Sequence, residues 1–229
     1  MKQIFNSIVD VLFPKVCVGC ETILSDNENL LCSYCRFELP RTNHLFEDEN
    51  SAFKKFYGIV ALQKVAALVY FEKNGIVQRS LHQLKYKNAQ NLGVLFANMF
   101  EDDLNESGFF SHDSCIIPVP LHPKKYKERG YNQIQSFCET LATNHEIDLN
   151  TTSLIRKMYN KTQSKKNLME RNTTIENAFG VSAIIPPQKN LILVDDVLTT
   201  GSTLIQCVKA LQQIPHKSIS ILTIAYSHS

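Results

Sequence analysis

Two sets of residues in the 229-residue chain have types and spacing suited to chemistry. The first is Cys17-Val-Gly-Cys20 and Cys32-Ser-Tyr-Cys35, two C-x2-C pairs eleven residues apart. Each pair can form a tight knuckle that aims two thiolates at one point, and Gly19 suits the turn. Two knuckles complete a tetrahedral set of four thiolates, which zinc satisfies at about 2.3 Å per Zn–S bond. The loop between the pairs is a little shorter than the roughly 15–20 residues of the generic four-cysteine spacing, yet ample for a ribbon or knuckle. A redox pair or an iron–sulfur cluster uses the same residue type. The redox reading wants one Cys-x-x-Cys at a strand end in a thioredoxin-like unit, a pattern this sequence lacks. Four protein ligands close the site, so a structural zinc is expected. Cys115, Cys138 and Cys207 fall in apolar stretches and read as small buried hydrophobes.

The second set is Leu191-Ile-Leu-Val-Asp-Asp-Val-Leu-Thr-Thr-Gly-Ser-Thr203. Four apolar residues predict a buried strand, Asp195 and Asp196 stand at its end, and a helix is expected to begin at Ser202 or Thr203. Free N–H groups and the positive dipole end of a helix start receive a phosphate. Thr199, Thr200, Ser202 and Thr203 add hydroxyls, and Gly201 lets the backbone approach closely. Two carboxylates beside this cradle would repel a bare phosphate but accept hydrogen bonds from sugar hydroxyls. The parts together suit a ribose 5-phosphate. An ordinary helix cap explains one hydroxyl residue. It does not explain two acids and four hydroxyl residues around a glycine. No Gly-x4-Gly-Lys-Ser/Thr occurs, so the segment is not a P-loop.

Two stretches concentrate positive charge. Lys124, Lys125, Lys127 and Arg129 oppose Glu128, and Arg156, Lys157, Lys161, Lys165, Lys166 and Arg171 oppose Glu170. A solvated face is the ordinary reading of such runs. Pyrophosphate or a nucleic-acid backbone would use the same charges. Tyr126, Tyr131 and Tyr159 lie among them and can either stack on bases or pack.

The elements that must position these residues follow from periodicity. Strands are expected at Val65–Phe71, Cys115–Val119, Leu191–Val194 and Ile219–Ala225. Helices are expected at Ile76–Tyr86, Leu92–Leu104, Asn132–Ala142 and Leu204–Ile214. Alternating strands and helices imply βαβ units and a mostly parallel sheet. The basic run at 124–129 follows the second strand, at the same carboxyl edge as Asp195 and Asp196. Residues 36–57 are polar, with few periodic apolar positions, and read as a connection out of the cysteine module. Two units are expected: residues 1–50, a helix and metal module, and residues 51–229.

Composition excludes several classes. Hydrophobic residues make up 44% and charged residues 20%, as in a folded globular domain. With 24 Lys plus Arg against 22 Asp plus Glu, the formal charge of +2 does not by itself mark a nucleic-acid binder. No run of about 18 apolar residues predicts a membrane span. Ile4, Phe5, Ile8, Val9 and Leu12 form one helical stripe, read as a short helix packing on its own protein rather than a membrane-surface helix. Asn6, Ser7 and Asp10 interrupt the start, and no small-residue cleavage site follows, so no signal peptide is expected. A reducing cytoplasm, where spaced cysteine pairs are metal ligands more often than disulfides, is the expected setting.

The Leu191–Thr203 segment resembles the phosphoribosyl pyrophosphate (PRPP) motif of type I phosphoribosyltransferases. More of the chain is similar to one branch, the ComF family of competence proteins, which sets a cysteine module ahead of a phosphoribosyltransferase domain. Leu84-Lys85-Tyr86, Pro118-Val-Pro-Leu-His122 and Arg129-Gly-Tyr-Asn-Gln133 resemble its segments, and Thr162-Gln163, Arg171, Asn177 and Ala178-Phe179 resemble its hood. The resemblance implies a type I phosphoribosyltransferase-like α/β fold that binds PRPP with Mg²⁺. Asp195 and Asp196 become the catalytic acids and ribose ligands, and residues 199–203 the 5-phosphate loop. The run at 124–129 becomes the pyrophosphate loop, with Lys124 and Arg129 as its candidates, and Lys165, Lys166 and Arg171 become hood candidates. It also implies handling of single-stranded DNA during natural transformation, with competence-machinery proteins as partners. Two functions stay open: a binding protein in DNA uptake, and a transferase moving ribose 5-phosphate to an unidentified nitrogen acceptor.

Overall fold

The computed structural model describes residues 14–85, 89–157, 178–182, 185–186 and 189–228. The stripe Ile4–Leu12, Tyr86, Tyr159, Lys165, Lys166 and Arg171 lie outside the described residues. Two short helices, α1 (Ser33–Phe37) and α2 (Ser51–Lys54), precede β1 (Val65–Tyr70). Then come α3 (Ile76–Lys85), α4 (Asn91–Met99), α5 (Glu101–Glu106), β2 (Ser114–Pro118), α6 (Pro123–Arg129), α7 (Gln135–Asn144) and β3 (Asp148–Leu149). An antiparallel pair, β4 (Leu154–Arg156) with β5 (Phe179–Val181), stands apart from the main sheet. The chain closes with β6 (Asn190–Leu198), α8 (Ser202–Leu211) and β7 (Ser218–Tyr226).

Five strands form a sheet in the order β1-β7-β6-β2-β3, every neighbouring pair parallel. A parallel sheet is stable when both faces are covered, which is why its central strands are continuously apolar. In β6, Ile192 and Val194 pack with Phe96, Phe137 and Leu81 on one face. Leu191 and Leu193 pack with Leu204 and Val208 of α8 on the other. Alternate strand residues point to opposite faces, so one nine-residue strand feeds both cores. Phe96 and Phe137 are fully buried, and each contributes about 1.5–3 kcal/mol of transfer free energy. Their helices cross closely because position 93 is glycine: a Cβ there would meet the Phe137 nitrogen at 2.8 Å. All five strands present their carboxyl ends to one edge, where open α/β sheets bind ligands.

Three expectations need correction. The helix expected over Leu92–Leu104 is two helices, broken at Phe100, whose φ of −111° and ψ of 11° leave the helical region while its ring stays buried. The basic run at 124–129 is a helix, with Pro123 in its first turn and Gly130 at φ +79° closing it. The connection at 36–57 belongs to the fold: Arg41 bridges Val69 antiparallel, and the Tyr70 N–H donates to the Pro40 carbonyl at 2.7 Å. A polar strap thus covers the β1 edge, the device that keeps a sheet from pairing with other chains.

Candidate functional site

At the carboxyl edge, β6 runs on through Leu198, so Asp195 and Asp196 lie within the strand rather than at its end. The register pairs Asp195 with Thr223 and Val197 with Ala225, and skips Asp196. The Asp195 Oδ1 instead accepts the Asp196 N–H at 2.9 Å, a side chain taking a donor the ladder would use.

Asp196 is 7% exposed. A carboxylate so deep needs partners. Lys85 Nζ at the end of α3 lies 2.6 Å from its Oδ2, and Gln133 Nε2 donates to the same oxygen at 3.4 Å. Gln133 Oε1 in turn accepts from Arg129 Nη1 at 2.7 Å. A polar chain thus joins Arg129, Gln133, Asp196 and Lys85 across three segments. The Asp195 carboxyl is held well above the usual range, first by burial and then by the neighbouring Asp196 charge. The Asp196 N–H and Lys85 pull the other way. A buried acid with perturbed protonation beside a second carboxylate at a sheet edge is a candidate for handling ligand charge.

Beyond Leu198 the chain reaches Gly201, buried, at φ +78°. A Cβ there would meet the Phe56 ring at 3.2 Å, so both the backbone angle and the space call for glycine. Helix α8 begins at Ser202, as expected; its N-cap Gly201 has no side chain to offer, and the Thr200 hydroxyl accepts the Ser202 N–H at 3.5 Å. Its first N–H groups and the hydroxyls of Thr199, Thr200, Ser202 and Thr203 face an exposed margin. The Thr200 and Ser202 hydroxyls lie 3.2 Å apart. Lys55 Nζ donates to the Thr199 carbonyl at 2.7 Å and to the Ser227 carbonyl at 3.4 Å, and sits 5.0 Å over the Tyr226 ring.

The structure separates the basic candidates. Arg129 joins the Asp196 network through Gln133, whereas Lys124 stands in solvent, 81% exposed and 4.0 Å from Glu128. Tyr131 is buried, its hydroxyl donating to the Leu84 carbonyl at 2.8 Å, so it packs rather than stacks on a ligand. Tyr126 is 51% exposed. Sequence reasoning had not singled out Lys85, Gln133 or Lys55 as site residues. The signal for the first two was the Leu84-Lys85-Tyr86 and Arg129–Gln133 segments; Lys55 had none.

At the other end of the chain, one sulfur from each of Cys17, Cys20, Cys32 and Cys35 lies within 4.8 Å of the others. Knuckle N–H groups already point at them: Gly19 and Cys32 donate to Cys17 Sγ at 3.4 and 3.2 Å, and Cys35 to Cys32 Sγ at 3.4 Å. A Cβ at Gly19 would meet Cys35 Sγ at 2.8 Å and Ile76 Cγ2 at 2.9 Å, so glycine lets the knuckle close against α3. The Thr22 hydroxyl and then its N–H draw the Cys20 thiol down to about 6, while burial and the neighbouring thiols push Cys35 up. Four gathered thiols cannot all ionise without a cation, and a divalent metal resolves that conflict. The donor set fits a metal ion such as zinc, and among the described residues it is the one such group.

A parallel sheet flanked by helices, whose paired acids feed a glycine-started helix, with a four-cysteine cluster ahead of it, is a type I phosphoribosyltransferase-like fold with an N-terminal four-cysteine module that could hold a metal ion. Curated proteins similar to it include competence proteins and DNA utilization proteins. It is 24% identical over 154 residues to ComFC of Streptococcus pneumoniae, covering 67% of this chain and 65% of that protein. It is 34% identical over 114 residues to competence protein F of Haemophilus influenzae, covering 48% and 49%. It is 25% identical over 190 residues to ComFC of Bacillus subtilis, covering 83% and 75%. The chain thus spans less than two thirds of the first two of these relatives. The resemblance to the ComF family stands on these proteins. No family profile matches the chain. A solved UMP synthase of Leishmania donovani aligns with a TM-score of 0.36 and 13% identity, covering 73% of this chain and 27% of that one, a likeness too loose to carry fold or function. Among the described residues, no helix is long and apolar enough to cross a membrane.

Proposed function

We propose that the chain binds PRPP with Mg²⁺ at the carboxyl edge of β6 and acts in the handling of single-stranded DNA during natural transformation, in the cytoplasm. The 5-phosphate sits at the start of α8 among Thr199, Thr200, Gly201, Ser202 and Thr203. The ribose hydroxyls bond to Asp195 and Asp196, the candidate catalytic acids. Arg129, with Lys124, Lys165, Lys166 and Arg171 as further candidates, neutralises pyrophosphate. Zinc on Cys17, Cys20, Cys32 and Cys35 is structural and holds residues 1–50 as a module on the domain of residues 51–229. Competence-machinery proteins are the expected partners.

One observation carries the PRPP reading: Asp196, buried and held by Lys85 at 2.6 Å, stands a few residues before a helix whose start, at a glycine N-cap, is ringed by exposed hydroxyl residues. Sugar hydroxyls and a phosphate need those two features side by side. The competence role rests on the names of the similar proteins.

The test is to incubate the protein with PRPP, Mg²⁺ and a panel of bases and DNA, following binding and pyrophosphate release. We expect Mg²⁺-dependent PRPP binding in the micromolar to millimolar range, about −4 to −8 kcal/mol. The fold alone does not decide between binding and transfer. Release with any acceptor, abolished by Asp196→Asn with fold and zinc intact, establishes a transferase instead. Absence of PRPP binding overturns the reading.

A further inference from the structure

Two contacts tie the segment just before β1 to the loop after β6, and a third ties it to the end of β7. Lys55 Nζ donates to the Thr199 carbonyl at 2.7 Å, the Phe56 ring fills the space under Gly201, and the Tyr226 hydroxyl donates to the Ser51 carbonyl at 3.3 Å. The segment is itself anchored. The Asn50 side chain accepts the Phe53 N–H at 2.9 Å and donates to the carbonyls of His44, Glu47 and Val65. Lys55 therefore reaches the loop from a fixed base.

From this geometry we infer that Lys55 is a positioning residue for the 5-phosphate subsite, an inference that rests on the proposed PRPP site. The physical reason is the planarity of the peptide. No peptide bond among the described residues is cis, and in a trans peptide the carbonyl and the following N–H point in opposite directions. Holding the Thr199 carbonyl on the ammonium turns the Thr200 N–H away from Lys55, in a stretch where Thr199 and Thr200 are both exposed. Without the cation that peptide can rotate and present a carbonyl oxygen, which a phosphate rejects, instead of a donor. The Ser227 carbonyl and the Tyr226 ring restrict where the ammonium can sit. Lys55 itself need not touch the ligand. It acts through the loop, and its positive charge also lies beside the dianion. Pyrophosphate belongs to the far side of the site, where Arg129 meets Gln133, so its binding should not depend on Lys55.

The experiment is calorimetry of the full chain with ribose 5-phosphate and, separately, inorganic pyrophosphate with Mg²⁺, for wild type, Lys55→Met and Lys55→Arg. A charge-assisted bond of this kind is worth enough that Lys55→Met should weaken ribose 5-phosphate by about tenfold or more. Pyrophosphate should change by less than about twofold, and Lys55→Arg, which keeps the cation and the ring contact, should recover most of the loss. A Lys55→Met protein that binds ribose 5-phosphate like wild type overturns the inference and leaves the PRPP reading intact. Equal losses for both ligands, or an arginine variant no better than methionine, also overturn it. Wild type that binds neither ligand overturns the PRPP reading itself. Thermal melting accompanies each variant, and if Lys55→Met does not fold, a Lys55→Gln protein carries the same comparison.

Discussion

Lys85 and Asp196 meet at 2.6 Å, joining the last residue of α3 to a carboxylate two residues before the end of β6. The pair is asymmetric: the lysine side chain is 29% exposed and the aspartate 10%. Removing the lysine leaves a nearly buried charge that keeps, among the described residues, a weak amide bond from Gln133 at 3.4 Å. Lys85→Met should therefore destabilise the protein by about 1–3 kcal/mol, and Asp196→Asn should relieve part of that cost. Chemical denaturation of the two single variants and the double checks this. Contacting charges give an interaction energy of roughly 0.5–3 kcal/mol, and strict additivity would show that the pair is energetically idle.

The cysteine cluster predicts about one zinc per chain after reducing purification without chelator. Cys32→Ser should lose the metal and loosen the module, because binding and folding are coupled in such sites. The sheet domain should keep its cooperative melt, since the four cysteines are not among the buried residues of its two cores, which the module meets at partly buried side chains such as Val18 and Leu30. Elemental analysis finding no zinc in the wild type would remove this part of the account.

His44 supplies a pH dependence. It is 5% exposed, its Nε2 lies 3.0 Å from the Ser51 hydroxyl, and its ring meets Tyr70 and Tyr226 edge-on. Burial, then the charge of His228, lowers its protonation to about 4 from the ordinary 6.5. A depressed histidine binds fewer protons folded than unfolded. Its contribution is thus fully present above about pH 6.5 and is lost as pH falls toward 4. The loss amounts to roughly 3 kcal/mol at most. His44→Phe keeps the ring packing and should flatten the stability profile between pH 6.5 and 4, measured as the difference from wild type. Parallel profiles would contradict the assignment.

Much of this was legible from local pattern. The strand at Leu191–Val194, the helix start at Ser202 and the two cysteine knuckles each rest on residues close in sequence. What pattern missed depends on distant partners. Nothing near Arg41 says that it will bridge Val69, and nothing near Lys55 points to Thr199. Asp195 and Asp196 read as a strand end because charges usually stop a buried strand. Here Lys85 and Gln133 arrive from other elements and let the strand continue to Leu198. The break at Phe100 was hidden because its ring keeps the apolar spacing while its backbone leaves the helix. The hood candidates Lys165, Lys166 and Arg171 lie outside the described residues and remain readings of the sequence.

Those lysines carry their own prediction. If they serve nucleic acid, Lys165→Ala with Lys166→Ala weakens single-stranded DNA uniformly across sequences and lowers the salt slope by about 0.7 per lost phosphate contact. PRPP affinity should then change little, because residues 195–203 hold the sugar and its phosphate. A fall in PRPP affinity with no change in DNA binding would instead make the segment a hood over the ligand.

The most direct measurement is calorimetric titration of PRPP with Mg²⁺ into wild type and into the Asp195→Asn, Asp196→Asn double variant, with zinc content and melting temperature matched. The account predicts Mg²⁺-dependent binding to the wild type, weakened in the variant by roughly 1.5–3 kcal/mol for each charged hydrogen bond lost. Equal affinity in the two proteins would contradict the assignment of the ribose to Asp195 and Asp196.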